Sequence, residues 1–332
     1  MKSVKNDLVG SNVPRGYPSF IRIARSMHTG CLAGRLSLAC VFFVVLAILV
    51  ISTDVRATEG GGSHYPGGNE DFQVGALPPP GMYFMNYLMY YTADKLKDNA
   101  GRTVPADFSL NATVEAMRFI YVTKKKLFGA DVAWHVIVPV AYQHVSVEGA
   151  GSQSKTGLAD IEFSPFVLGW HFNKNWHLTA CVDIMAPSGA YDKGDLSNIG
   201  RNYWTFNPIV AFSYIHNKGF EVSAKFLYLI NTVNSATGYT SGQEFIVDYL
   251  VGQRIGNWSI GINGAYYKQI TDDSARNEPP DFDGNKGQFF SIGPALQYNY
   301  KNMCFNAKYQ MDTSVKNRPE GQKFWLKFFY AF

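Results

Sequence analysis

Gln322-Lys-Phe-Trp-Leu-Lys-Phe-Phe-Tyr-Ala-Phe332 closes the chain on an aromatic residue. Counting back in twos from Phe332, every side chain is apolar: Tyr330, Phe328, Leu326 and Phe324. The positions between them hold Lys323, Trp325, Lys327, Phe329 and Ala331. Alternation with period two marks a strand whose two faces meet different surroundings. A face this aromatic and free of charge needs an apolar neighbour, and the same pattern recurs about a dozen times upstream. Lipid satisfies all of these strands at once. The sequence therefore predicts an all-β fold: a transmembrane antiparallel β-barrel of about 12 strands, preceded by an N-terminal signal helix.

Composition agrees. The chain is 46% hydrophobic and 15% aromatic but only 17% charged, and its mean hydropathy is still slightly negative. Alternating lipid-facing and lumen-facing residues average to such a value. The net charge of +4 is concentrated at the start. Residues 1–57 carry seven Lys/Arg against Asp7 and Asp54, which leaves 23 Lys/Arg against 24 Asp/Glu in the rest. A near-neutral body gives no electrostatic reason to bind nucleic acid. Leu36 to Ser52 is one apolar run, preceded by arginines and followed by Val55-Arg-Ala57. This is the layout of a secretory signal peptide over residues 1–57, with Met27 as an alternative start. Its removal leaves Cys181 and Cys304, two thiols on separate strands. No Cys/His spacing resembles a zinc site, and neither metal nor cofactor is expected. Residues 58–80, rich in Gly and Pro, form a periplasmic segment or a plug.

The barrel is assigned to residues 81–332. Strand-like runs fall at 81–92, 110–123, 130–147, 158–172, 176–186, 203–216, 220–231, 243–254, 258–270, 288–300, 303–312 and 322–332. Connections after even-numbered runs are short, as at Asn217-Lys-Gly219 and Lys301-Asn302. The others, at 93–109, 148–157, 187–202, 232–242, 271–287 and 313–321, are longer and polar. Short periplasmic turns alternating with long outer loops give an outer-membrane barrel with both barrel ends in the periplasm. Tyr87, Tyr90, Tyr91, Trp134, Tyr142, Trp170, Trp176, Tyr203, Trp204, Trp258 and Tyr300 sit near run ends, where an interfacial girdle belongs. Glu115 and Arg118 differ in parity, so a bulge or a misplaced boundary is expected in the second run.

Parity also assigns the lumen. Its candidate lining is His135, Asp160, Glu162, Asp183, Glu221, Lys225, Lys308, Lys323, Trp325, Lys327 and Phe329. The charged members can satisfy one another across the bore, while the aromatic ones suit small apolar or amphipathic solutes. Three further segments point to a family. These are His64-Tyr-Pro-Gly-Gly-Asn-Glu-Asp-Phe72 with Ala76-Leu-Pro-Pro-Pro-Gly81, Gly157-Leu-Ala-Asp-Ile161 through Pro165 to Gly169-Trp170, and Ala186-Pro-Ser-Gly-Ala-Tyr191 leading to Asn198-Ile-Gly-Arg-Asn202 and Trp204. Together they resemble the outer-membrane family of phenol-degradation meta-pathway proteins, also called SphA-like. The resemblance implies a transporter that passes small hydrophobic or aromatic compounds, in contact with outer-membrane lipids, and supplies no ligand residues. Two alternatives remain. His144-Val-Ser146 resembles the His-x-Ser pair of outer-membrane phospholipases, although Val147-Glu148 replaces the expected Asn-Gly; a sealed structural barrel is the other.

The terminal aromatic strand also resembles the signal read by the outer-membrane assembly machinery. Deleting Phe332, or replacing it with a charged residue, is expected to prevent assembly. Normal surface levels of the variant in an outer-membrane fraction would contradict this.

Overall fold

The structure, a computed structural model, describes residues 62–276 and 286–332. The signal segment 1–57 and the alternative start at Met27 lie outside them. No helix among the described residues is long and apolar enough to cross a membrane. Twelve strands do so instead, because hydrocarbon offers no partner for backbone N–H and C=O and only a closed ladder pairs them all.

In chain order the strands are β1 (Gly81–Leu96), β2 (Phe108–Leu127), β3 (Ala130–Val147), β4 (Gly151–Leu158), β5 (Glu162–His171), β6 (Trp176–Met185), β7 (Thr205–Ile215), β8 (Phe220–Asn231), β9 (Val233–Asn234), β10 (Tyr239–Thr240), β11 (Glu244–Ile255), β12 (Trp258–Gln269), β13 (Ser274–Ala275), β14 (Gln288–Tyr300), β15 (Met303–Lys316) and β16 (Pro319–Ala331). Each wall strand pairs antiparallel with its neighbour, and β16 closes on β1 through Tyr83 opposite Ala331 to Leu96 opposite Pro319. β9, β10 and β13 form a small separate sheet in the loops. β4 and β5 share one position in the wall: β3 pairs with β4 from Val140 to Val147, and with β5 from Asp131 to Ile137.

The wall sorts side chains as the alternation requires. On β16, Lys323, Trp325 and Lys327 are buried while Phe324 and Leu326 are exposed. Outside, Met82, Leu88, Val251, Ile260, Ile262, Met311 and their neighbours form an apolar skin. Turn chemistry follows the tight end: Phe128 (φ 50°) and Gly129 (φ 77°) are both left-handed, as a two-residue hairpin matching strand twist demands.

Several expectations need correction. β2 runs from Phe108 to Leu127 rather than over 110–123, and its irregularity lies away from Glu115 and Arg118: the register is regular to Val122 and shifts between Val122 and Lys126. Glu115 therefore points outward, where it accepts a hydrogen bond from Asn86 Nδ2 at 2.7 Å. The last connection is not a loop over 313–321. β15 and β16 run on until Asn317 and Arg318 alone join them, because the extension of β15 stays paired with β14 as far as Lys316 and that of β16 with β1 from Pro319. The fourth run begins at Glu162, with β4 as a hairpin extension before it. Among the girdle residues, Tyr90, Trp134, Tyr142, Trp176, Trp204, Trp258 and Tyr300 are exposed, but Tyr87, Trp170 and Tyr203 are buried. Tyr87 fails the girdle because it shares parity with the lumen residues Tyr83 and Met89.

Gly264 shows why one wall position must lack a side chain. A Cβ there would stand 1.8 Å from the Ser291 carbonyl oxygen. Tyr249 fills that gap from the neighbouring strand, its hydroxyl donating to Ser291 O at 2.9 Å and its ring stacked on Phe290. Gly264→Val is expected to force the β12–β14 ladder apart and lower the thermal midpoint of the barrel by several degrees, read by loss of heat-modifiable migration in gels; an unchanged midpoint would contradict the packing described.

Candidate functional site

Residues 62–80 run inside the ring of strands, held by side chains that the alternation points inward. Two acids in this otherwise Gly/Pro-rich segment, Glu70 and Asp71, meet a set of buried cations. Asp71 pairs with Lys308 at 3.0 Å and Lys327 at 2.6 Å. Glu70 pairs with Arg118 at 3.1 Å and Lys327 at 3.5 Å. Backbone groups of the segment complete the arrangement: Gly68 N–H and Glu70 N–H donate to Asp248, Gln73 N–H donates to Glu221, and Lys308 Nζ donates to the carbonyls of Gly68 and Asn69. Tyr65 O–H donates to Asp248 at 2.5 Å, and Lys225 lies over the Tyr65 ring. Wall glycines leave room for the segment's apolar side chains: Phe72 packs over Gly252 and Leu77 over Gly169.

Burial by itself would raise the Glu70 carboxyl, but Lys327, Lys225, Arg118 and Lys308 together hold it well below the usual carboxylate range. Its contribution to stability is therefore present above the ordinary carboxylate pKa and persists under mild acid.

The start of the segment is tied to the outer loops. His64 Nε2 meets Asp160 Oδ2 at 2.7 Å, and its Nδ1 meets Thr205 Oγ1 at 2.7 Å. Asp160 also accepts the N–H groups of Gly189 and Arg201. It stands in the break between β4 and β5, so one carboxylate joins the entering segment, the interrupted wall and the 186–204 connection. Burial lowers the His64 imidazole despite the carboxylate beside it. Desolvation works to raise Asp160, yet His64 and the two backbone donors bring it below its usual range.

On the outer side of the segment lies a cavity of about 930 Å³. His64, Tyr65 and Asn69 contribute to its lining from the segment. One wall is apolar: Leu110, Ala112 and Val114 from β2 and Ile137, Pro139 and Ala141 from β3. Phe289 from β14 and Lys323 and Trp325 from β16 also line it. Lys323 is over the Phe289 ring at 4.4 Å, and Phe289 is stacked on Tyr267.

Of the eleven lumen residues read from parity, ten divide into three groups. Asp160, Glu162, Lys323 and Trp325 line the cavity. Glu221, Lys225, Lys308 and Lys327 contact residues 62–80 and are covered by them. His135 and Asp183 are buried in the wall beside Glu162. Phe329 joins none of these; it stacks on Tyr83 at 5.4 Å in an apolar cluster with Val122, Ala133 and Leu77. The sequence reading missed Arg118, Glu70 and Asp71 as one network. The signal was present, since an acidic pair inside a segment of glycines and prolines has no local partner. His144 bonds Ser154 of β4 at 2.8 Å on the exposed face rather than Ser146.

Two outcomes follow. Asp71→Ala leaves Lys308 and Lys327 buried beside a lost counter-charge and should destabilise the protein by about 3–5 kcal/mol, measured by denaturant unfolding in detergent; a loss below about 1 kcal/mol would contradict the pairing. The lowered His64 contributes stability in its neutral form, fully present above the ordinary imidazole value of 6.5 and declining as pH falls below it. Unfolding midpoints of the wild type should drop on acidification through that point, and those of His64→Gln should not.

A structure of an outer membrane channel from Pseudomonas putida F1 superimposes with a TM-score of 0.69 at 18% identity, covering 79% of this chain and 98% of that one. The β-domain of the Bordetella autotransporter BrkA matches at 0.47 with 11% identity, over 76% and 100% of the two chains. The CymD monoaromatic hydrocarbon channel matches at 0.38 with 9% identity, over 84% and 97%. No curated relative matches in sequence. The first likeness shows a shared outer-membrane barrel fold. Residues 93–328 match the family model described as "Putative MetA-pathway of phenol degradation", and the chain belongs to that family.

Proposed function

We propose that this barrel is an outer-membrane channel for small hydrophobic and aromatic compounds and carries out no catalysis. The observation that carries this is the division of the lumen. Lys308 and Lys327 are paired with Asp71 of residues 62–80, and the cavity beyond them, although charged groups such as Asp160, Glu162 and Lys323 reach its lining, has an apolar stretch on β2 and β3 together with Phe289 and Trp325. Its size is that of a small-molecule site. A solute without charge loses little on entering, since its own apolar surface leaves water at roughly 25 cal/mol per Å². An ion or sugar would need polar partners along its whole surface, and Leu110, Ala112, Val114, Ile137, Pro139 and Ala141 offer only apolar groups. Residues 62–80 act as a plug: the buried pairs of Asp71 and Glu70 anchor it, and solutes held in the cavity pass either to the periplasm as it yields or sideways through the wall into the membrane. The structural neighbour from Pseudomonas putida F1 being an outer membrane channel supports the same reading.

The phospholipase-like alternative loses support because the hydroxyl that His144 meets is that of Ser154, through Nδ1, whereas a serine nucleophile at Ser146 would need the imidazole within hydrogen-bond reach.

A charge placed on the apolar wall tests the channel. Ala112→Glu and Ala141→Glu are expected to slow uptake of toluene or phenol about tenfold in a Gram-negative host that relies on this channel, since a buried unpaired carboxylate costs several kcal/mol. Both variants should keep heat-modifiable migration. Wild-type uptake in a correctly folded variant would refute the route.

A further inference from the structure

We propose that His135, Glu162 and Asp183 form a binding site for one divalent metal ion of the zinc class, set in the barrel wall beside the cavity. The three residues come from adjacent wall strands, β3, β5 and β6, and their ligand atoms all lie within 4.8 Å of one another. His135 Nε2 stands 3.4 Å from Asp183 Oδ1 and 3.9 Å from Glu162 Oε1. Ligand atoms bound at about 2.0–2.1 Å to a tetrahedral zinc stand about 3.3–3.4 Å apart. The wall thus holds these atoms near the edge length of a coordination shell.

A second observation points to a cation. His135 and Asp183 are 2% and 1% exposed, and Nε2 has no hydrogen-bond partner although it faces both carboxylates. Two carboxylates this close in a dry wall repel unless a proton or a metal lies with them. An imidazole nitrogen with two carboxylate oxygens is a donor set that zinc, iron(II) and manganese(II) accept. Glu162 also lines the cavity, which gives an entry path and a place for a water or solute oxygen to complete the shell.

Two cations face the cluster. Arg118 Nη2 is 3.0 Å from His135 Nδ1, and Lys225 acts on both carboxylates. Both have other partners: Arg118 has Glu70 and the Tyr87 hydroxyl, and Lys225 lies over Tyr65. With Nδ1 accepting from Arg118, the neutral ring carries its proton on Nε2. Metal uptake replaces that proton; the ring keeps one on Nδ1, Arg118 Nη2 turns away while Nη1 stays on Glu70, and any proton shared by the acids leaves to water. The ion would also bridge the wall where its ladder is weakest. Register shifts fall between Ala133 and His135 on β3, and between Phe163 and Val167 on β5. Spacing in the sequence gives no hint of this site, because each strand contributes one ligand.

The test uses the whole mature protein purified from outer membranes, stripped with chelator, then equilibrated with zinc and washed. Elemental analysis should find one zinc per folded barrel. His135→Gln and Asp183→Asn should lose it, whereas His171→Gln with His177→Gln should retain it; in that pair two imidazoles meet 2.7 Å apart beside the turn between β5 and β6, away from the three ligands. Cobalt(II) substituted into the wild type should give a visible ligand-field band, so the outcome does not depend on the folding of any variant. No zinc retained, no cobalt band, or zinc retained equally by folded His135→Gln would overturn the proposal.

Discussion

The constraint on which everything else rests is the pairing of β1 with β16. In hydrocarbon an unpaired backbone amide costs several kcal/mol, so a sheet that failed to close would leave a whole strand edge unsatisfied. Closure fixes the parity of every wall residue. Once Lys323 and Lys327 point inward on β16, Phe324 and Leu326 must face lipid, and the same division passes from strand to strand around the ring.

Closure also creates the energetic problem that residues 62–80 address. Lys308, Lys327, Arg118 and Lys225 all face a bore too narrow to hydrate them freely. Glu70 and Asp71 bring the opposite charge on a segment with little side-chain bulk, so the cations are neutralised without filling the whole lumen. Removing one member is costly because its partners remain buried. The pairing therefore keeps the segment in a single position, and what is left over is the apolar cavity against β2 and β3. Charge pairing beneath residues 62–80 and an open cavity with an apolar stretch on β2 and β3 are two consequences of one arrangement.

Most of the fold could be read from the chain, for a physical reason. Lipid imposes one rule on every outward position, so the alternation in 220–231, 288–300 and 322–332 marks real strands with the correct facing. The rule stops at the membrane boundary. Beyond it, β15 and β16 continue to Lys316 and Pro319 with no change that hydrophobicity could register, and the expected loop at 313–321 shrinks to two residues. Residue type and nearness to a run end point Tyr87 and Tyr203 to the girdle, whereas parity and a polar partner decide where a tyrosine goes.

The site was less legible. Parity found the inward side chains, yet it could not tell that Lys327 meets Asp71, that Phe329 belongs to a packed apolar cluster, or that Glu162 and Asp183 converge on His135. Such contacts depend on register between strands distant in sequence and on the path of a segment without periodicity. They are properties of the closed ring.

The division of faces can be measured directly. Nitroxide labels placed singly at positions 322 to 330 of the protein in lipid bilayers would report oxygen accessibility along β16. The account predicts a period of two, with maxima at 324, 326 and 328 and minima at 323, 325 and 327. A flat profile, or maxima at the lysine positions, would contradict it.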